Sequence, residues 1–181
     1  DAYIEHDIVK NASYKLGVKE VYIVPNVYAY DSALVYENRT DLYFSYHHNF
    51  KNKLKASFNL RKGFVSNFKV PFTPALGLSY LVFGWEKGIL KVNGNLSRSY
   101  RVPTFNDRFW GLGGNPYLKP EGGLNYELGV QYSYCDGNSS GTIKLNAFYL
   151  DVDNWLLWKN GNTGWEARNE EHVISKGIEV I

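Results

Sequence analysis

The chain has one cysteine, no methionine and no apolar run approaching the ~18–20 residues that a membrane-spanning helix needs. A lone Cys135 excludes an intramolecular disulfide framework, and its setting, "YCDGNSSG", reads as a turn rather than as a reactive thiol. Helical membrane crossing is excluded as well. A transmembrane barrel is not, because its strands alternate and a hydropathy average cancels them. Helix signals are scarce: no long stretch carries apolar residues three and four apart behind a capped start. The net charge of +2 is too small to argue for nucleic acid. There is no nucleophile elbow, no zinc-type Cys/His spacing and no phosphate-cradling loop. Asp151 and Asp153 share a strand face, but they mark the strand's exit into solvent rather than an acid–base pair. The expectation is a protein that is not an enzyme and carries no cofactor. The histidines are His6, His47, His48 and His172; the adjacent pair must point to opposite faces of a strand, so no metal site is expected.

What is abundant is aromatic, 17% of 181 residues with 15 Tyr, and it is arranged with period two. In "LNYELGVQYSY", Leu124, Tyr126, Leu128, Val130, Tyr132 and Tyr134 alternate with Asn125, Glu127, Gly129, Gln131 and Ser133. That is a strand with one wet and one dry face. The same alternation predicts strands over Asp41–Phe50, Lys53–Arg61, Ala75–Phe83, Ile89–Tyr100, Thr142–Asp153 and Ile174–Ile181. Two further strands are expected over Ala2–Leu16 and Glu20–Tyr30, the latter interrupted by Pro25. The total is about nine strands.

The connections alternate short and long. "KNK", "GWEKG" and "CDGNSSG" are short; "KGFVSNFKVPFTP", the roughly twenty residues after Tyr100, and "NWLLWKNGNTGWEARNEEHV" are long. In a meander, successive connections lie at opposite ends, so one end carries tight turns and the other large loops, as in outer-membrane barrels. Ten residues at ~3.3 Å, tilted ~45°, climb roughly 23 Å, close to an apolar band of ~25 Å. Phe50, Phe83, Tyr132 and Tyr134 gather beside the short turns, where an interfacial girdle belongs. The wet face carries small uncharged groups such as Ser57, Asn59, Asn93, Asn95 and Ser97. The fold class expected is all-β, an antiparallel up-and-down meander forming part of a large transmembrane β-barrel. A soluble lipocalin-like barrel explains the alternation equally, with the dry face inside, but not the loop rhythm.

One stretch goes further. "RSYRVPTFNDRFWGLGGNPYLKPEGGLNYELGV" resembles the TonB-dependent outer-membrane receptors. The carrying residues are Ser97, Tyr100, Arg101 and Pro103; then Gly114, Asn115, Pro116, Leu118, Pro120 and Glu121; then Glu127 and Gly129. "NAFYLDVDNWL" and "SKGIEV" look like later strands of the same family. Much of this is structural chemistry. Pro103 ends strand pairing, and Gly113–Pro116 is turn sequence. Arg101 and Glu121 read as an ion-paired loop anchor more than as ligand contacts, and Glu127 as a wet-face carboxylate paired to Arg98 or Arg101.

The resemblance implies a bacterial outer-membrane location and uptake of a large, scarce nutrient. It also implies a barrel of twenty-two strands plugged from within, energised by the TonB complex acting on that plug. Residues 1–181 then form a segment of the barrel domain, with plug, signal peptide and the last strands absent; Asp1 and the broken-off "SKGIEVI" agree. The partners implied are the TonB complex, the nutrient and membrane lipid, with a surface lipoprotein as a further candidate. No histidine lies in "TFNDRFWGLGG", which counts against haem. The "YGNP-x-L-x-PE" pattern of the cobalamin branch puts a corrinoid first and a ferric siderophore second. Candidate ligand contacts are Asn106, Asp107, Arg108, Trp110, Tyr117, Trp158 and Trp165, because loop tryptophans suit a flat, partly apolar ligand. Trp155 and Trp158 serve equally as membrane-interface anchors.

Overall fold

Alternation settles the main architecture. The computed structural model describes residues 2–9, 11–30, 36–51, 53–161, 164–170 and 172–181. Its strands are β1 (Ala2–Val9), β2 (Ala12–Ile23), β3 (Glu37–Phe50), β4 (Leu54–Val65), β5 (Phe72–Trp85), β6 (Gly88–Arg101), β7 (Glu121–Asp136), β8 (Ser139–Asp153), β9 (Leu156–Gly161), β10 (Gly164–Asn169) and β11 (His172–Val180), with one helix, α1 (Phe105–Phe109). Nine strands form one antiparallel sheet in the order β1-β2-β3-β4-β5-β6-β7-β8-β11, and among the described residues β9 and β10 pair only with each other. Among the described residues β1 and β11 are the two edges of an open, twisting wall.

Register carries the alternation from strand to strand. Phe58, Leu76, Leu96, Tyr126 and Tyr149 lie in one transverse row of the apolar face. Ser57, Gly77, Asn95 and Glu127 lie in the neighbouring row of the polar face. The apolar face is uncovered: Leu128 is 61% exposed and Val130 40%. Buried apolar residues are few among those described, and Val102, Leu118, Leu156 and Ala167 belong to the loop end rather than to the sheet centre. A barrel enclosing its apolar residues, the lipocalin-like alternative, would bury Leu128 and Val130, so that alternative falls.

At the short-turn end the apolar face ends in rings. Phe83 stacks on Trp85 at 5.0 Å, Trp85 on Tyr132 at 5.7 Å, and Tyr132 on Tyr134 at 6.4 Å. Further along the same rim His48 stacks on Phe50 at 3.8 Å and shares a hydrogen bond with the Tyr46 hydroxyl at 2.8 Å. The β7–β8 turn is tight because Gly137 adopts φ 57°, a left-handed conformation that costs glycine little. A register shift between Leu81 and Phe83 sends Phe83 to the apolar side and so completes the row of rings.

Several boundaries differ from the sequence reading. The stretch expected as one strand over Ala2–Leu16 is divided between β1 and β2, with Lys10 outside the described residues. The strand expected over Glu20–Tyr30 is not formed as a separate element: β2 ends at Ile23, before Pro25, whose missing N–H could not serve the ladder. The connection after Arg61 shrinks to residues 66–71, because β4 runs on to Val65 and β5 begins at Phe72. In the short β3–β4 turn, Asn52 lies outside the described residues.

Candidate functional site

The long connections meet at one end of the wall and are built into a cap. Chain geometry there starts at Pro103, which is fully buried and follows the end of β6. Thr104 then caps α1: its hydroxyl accepts from the Asp107 amide at 3.2 Å, while the Asp107 carboxylate accepts from the Thr104 amide at 2.8 Å. This reciprocal box supports a helix of a single turn, too short to stand by propensity.

Arg108 leaves the helix into a buried ion pair, its Nη2 donating to Glu37 at 2.6 Å, with the rings of Phe68, Phe105 and Phe109 at 4.7–5.2 Å from its guanidinium. Glu37, at the start of β3, also accepts from Arg39. The start of β3, the connection between β4 and β5 and the connection between β6 and β7 are thereby tied at one point. Tyr30 adds a fourth link: it bridges Trp110 and its hydroxyl donates to Asn106.

The second half of the cap is the β9–β10 hairpin. Ala167 N–H donates to Gly113 C=O at 2.8 Å, and Asn115 donates to Ala167 C=O at 3.4 Å. Leu118, Leu156 and Ala167 form a small buried cluster against Trp158. The indole N–H of Trp158 donates to Asp107 at 3.0 Å. Burial pushes the Asp107 carboxyl up, but bonds from Thr104 and Trp158 and the charge of Arg101 outweigh it and hold it below the ordinary 3.8. Below the helix, Arg101 pairs with Glu121 at 2.7 Å, and Glu121 also accepts from the Leu156 amide at 2.5 Å. Arg61 forks onto Asp41 at 2.9 and 2.6 Å, with Tyr100 lying 5.9 Å away across its guanidinium.

Each predicted residue therefore has a definite place. Asp107, Arg108 and Trp158 are joined to one another's surroundings and face inward. Asn106 is exposed and bound to Tyr30. Trp110, Tyr117 and Trp165 present free surface, at 48%, 89% and 65% exposure, with Leu112 at 93% between them in sequence. Arg101 and Glu121 form the expected anchor. Asn115 turns the chain by accepting from the Tyr117 amide at 3.0 Å, Pro116 and Pro120 flank the buried Leu118, and Pro103 ends the strand. Glu127 differs from expectation: its partner is Asn125 at 2.6 Å, since Arg98 lies on the opposite face and Arg101 is held by Glu121.

Sequence reasoning missed Glu37, Arg39, Asp41, Arg61, Tyr30 and Asn169, which donates to Lys119 and Asn154 carbonyls at 3.1 and 2.7 Å. Glu37 and Arg39, two apart on a strand, share a face and could have been paired from spacing. The Glu37–Arg108 pair, separated by 71 residues, left no local signal.

Comparison with known proteins gives a consistent assignment. The family model described as TonB dependent receptor-like, beta-barrel matches residues 8–180. A vitamin B12 transporter BtuB of Photobacterium profundum is 32% identical over 101 residues, 50% of this chain and 15% of that protein. BtuB of Vibrio vulnificus (strain YJ016) is 28% identical over 132 residues, 72% of this chain and 20% of that protein. The chain thus spans a fifth or less of these relatives. Among solved structures, the siderophore receptor PirA of Pseudomonas aeruginosa superposes with a TM-score of 0.80 at 18% identity, covering 98% of this chain and 34% of that one. PirA of Acinetobacter baumannii superposes at 0.70 with 15% identity, covering 98% and 32%.

Proposed function

Because the chain belongs to the TonB-dependent receptor-like β-barrel family, we propose that it supplies part of the wall and outer mouth of an outer-membrane receptor that imports a large, scarce nutrient. The observation that carries this reading is the uncovered apolar face. Its rows of Leu, Val and Tyr end in a belt of stacked rings beside the short turns. Acyl chains cover that face, and the rings sit at the headgroup level. The polar face, rich in Ser, Asn and Gly, then lines the pore, and the long connections meet the outside.

In this reading the cap recognises cargo. Trp110, Tyr117 and Trp165 offer flat apolar surface, and Asn106, one turn before Trp110, offers an exposed amide. Asp107, Arg108 and Trp158 hold that surface in place, so less ordering is left to be done when a ligand arrives. A corrinoid is the first choice of cargo, supported by the relatives named as vitamin B12 transporters. A ferric siderophore is the second, supported by neighbours described as siderophore receptors. The TonB complex, acting through a plug, is the partner this reading requires, and a surface lipoprotein is a further candidate.

The test is equilibrium binding to the whole receptor, comparing cyanocobalamin with a ferric catecholate siderophore. Tighter cyanocobalamin binding, weakened by Trp110→Ala and Trp165→Ala, is the expected result. Siderophore binding alone would reverse the order of cargo, and no binding of either would remove both.

A further inference from the structure

Two cations interrupt the apolar face, both toward the loops. Across β2 to β8 the lysine and arginine on that face are Lys62 on β4 and Arg98 on β6. Lys62 lies between Leu60 and Phe64 on its own strand and is opposite Leu42 and Phe72. Arg98 follows Leu96 on the same face and is opposite Leu124. Neither forms an ion pair among the described residues. The Lys62 ammonium donates once, to the Val70 carbonyl, and lies 5.6 and 5.1 Å from the Phe64 and Phe72 rings, which leaves two N–H groups for a further acceptor. The carboxylates toward the loops on this face are engaged elsewhere: Glu20 accepts from Asn38 at 3.2 Å, and Asp151 and Asp153 lie 3.5 and 3.2 Å from His172.

Both cations sit on interior strands with a paired strand on each side, and on the face turned away from the pore. A charge set among Leu and Phe on a lipid-exposed face is costly unless its long stem carries it to the headgroup level, where lipid phosphate can meet it. Register brings the two within reach of one headgroup. Phe58, Leu76 and Leu96 share a row; Lys62 stands four residues beyond Phe58, and Arg98 two beyond Leu96, both toward the loops. Two strand spacings across and two residues along separate their Cα atoms by about 12 Å.

Below each cation the face is furrowed. Under Lys62 a depression of about 680 Å³ runs over Leu16, Val18, Leu42, Phe44 and Leu60. Under Arg98 a second, of about 470 Å³, runs over Leu76, Leu78, Leu96, Tyr126 and Leu128. Gly94 opens the second. It lies between Leu78 and Leu128, four residues or about 13 Å below Arg98, and a Cβ added there would meet nothing nearer than the Glu127 carbonyl at 3.9 Å. We propose that Lys62 and Arg98 hold the two phosphates of one diphosphorylated lipid of the outer leaflet, with its acyl chains lying in the two furrows. A lipid with a single phosphate satisfies one of the cations; two phosphates on one headgroup satisfy both. This builds on the reading of the apolar face as lipid-facing.

Native mass spectrometry of the whole receptor in detergent tests this by counting the lipid retained from diphosphoryl lipid A, monophosphoryl lipid A or phosphatidylglycerol. Preferential retention of one diphosphoryl lipid A is expected. Lys62→Gln and Arg98→Gln should each weaken it roughly fivefold and bring it level with the monophosphoryl form. Lys87→Gln and Lys159→Gln, at lysines that pair with Asp136 and Glu170, should leave it unchanged. Gly94→Leu fills the furrow under Arg98 and should weaken retention, while folding is kept because the added side chain enters open space on an apolar face.

Equal retention of the three lipids, or an unchanged preference in the Lys62→Gln/Arg98→Gln receptor, overturns the proposal. So does displacement of the lipid by inorganic phosphate, which would make this a site for free anions. Leu128→Arg reads the premise separately. If that variant folds in lipid vesicles as well as the unmodified receptor, the face does not meet lipid and both readings fall. If it is destabilised while diphosphoryl lipid A is not preferred, the two-cation site alone falls. Neither measurement depends on which cargo the receptor binds.

Discussion

At the scale of the residue, Arg108 organises the cap. Its guanidinium is 5% exposed, is paired with a carboxylate that is 1% exposed, and has three rings around it. Arg108→Ala would leave Glu37 buried with Arg39 as its remaining partner. The expected cost is about 3 kcal/mol, the lower end for breaking a buried pair. It should be read as faster proteolysis within residues 102–120. Arg108→Lys should not rescue the loop, because an ammonium lacks the planar face that lies among the rings. Full resistance to protease in the Lys variant would refute that assignment. Asp107 sets a pH limit. Its carboxyl is held below the ordinary 3.8, so its contribution is complete above that value and is lost as pH falls through the lowered one. Trp158 fluorescence should change over this acid range, and the transition should be absent in Asp107→Asn.

At the scale of the element, the docking of the β6–β7 connection on the β9–β10 hairpin depends on close backbone approach. A side chain at Gly113 would run into the Trp165 carbonyl and the Trp158 ring, whereas one at Gly122 would meet nothing within 4 Å. Gly113→Val should therefore speed amide exchange at Ala167, whose N–H bonds to Gly113, and Gly122→Ala should leave it unchanged. The strands themselves were legible because period-two alternation is local: β7 extends three residues before Leu124 and two after Tyr134, and is otherwise as the pattern gives it. The helix was not, since five residues held by Thr104 and by tertiary pairing show no helical periodicity. Neither was the β9–β10 hairpin, whose short strands carry Trp, Lys, Glu and Arg without alternation. The loop box of Arg101, Pro103, Asn115 and Glu121 was recognised by pattern, but the contacts its loop makes with Glu37 and Tyr30 join segments far apart in sequence and could not be read from either alone.

At the scale of the whole molecule, the two faces should respond oppositely to charge. Leu128→Arg places a guanidinium on the apolar face. It should reduce folding stability in lipid vesicles by about 2–4 kcal/mol if that position is near the bilayer midplane. Asn125→Arg, on the polar face of the same strand, should change it far less. Denaturant titration of the whole barrel in vesicles would measure both. Equal tolerance at the two sites would place water on both sides of the wall and end the membrane reading.

Among the described residues the hairpin β9–β10 forms no ladder with any other strand, and its grip on the cap runs through Gly113, Asn115 and a few small or inward residues. Its outward positions, the 65% exposed Trp165 among them, answer to no architectural demand from the sheet. On the proposed reading, rewriting a dozen letters of one appendage would redraft what is welcomed, while the staves beneath remain as they were.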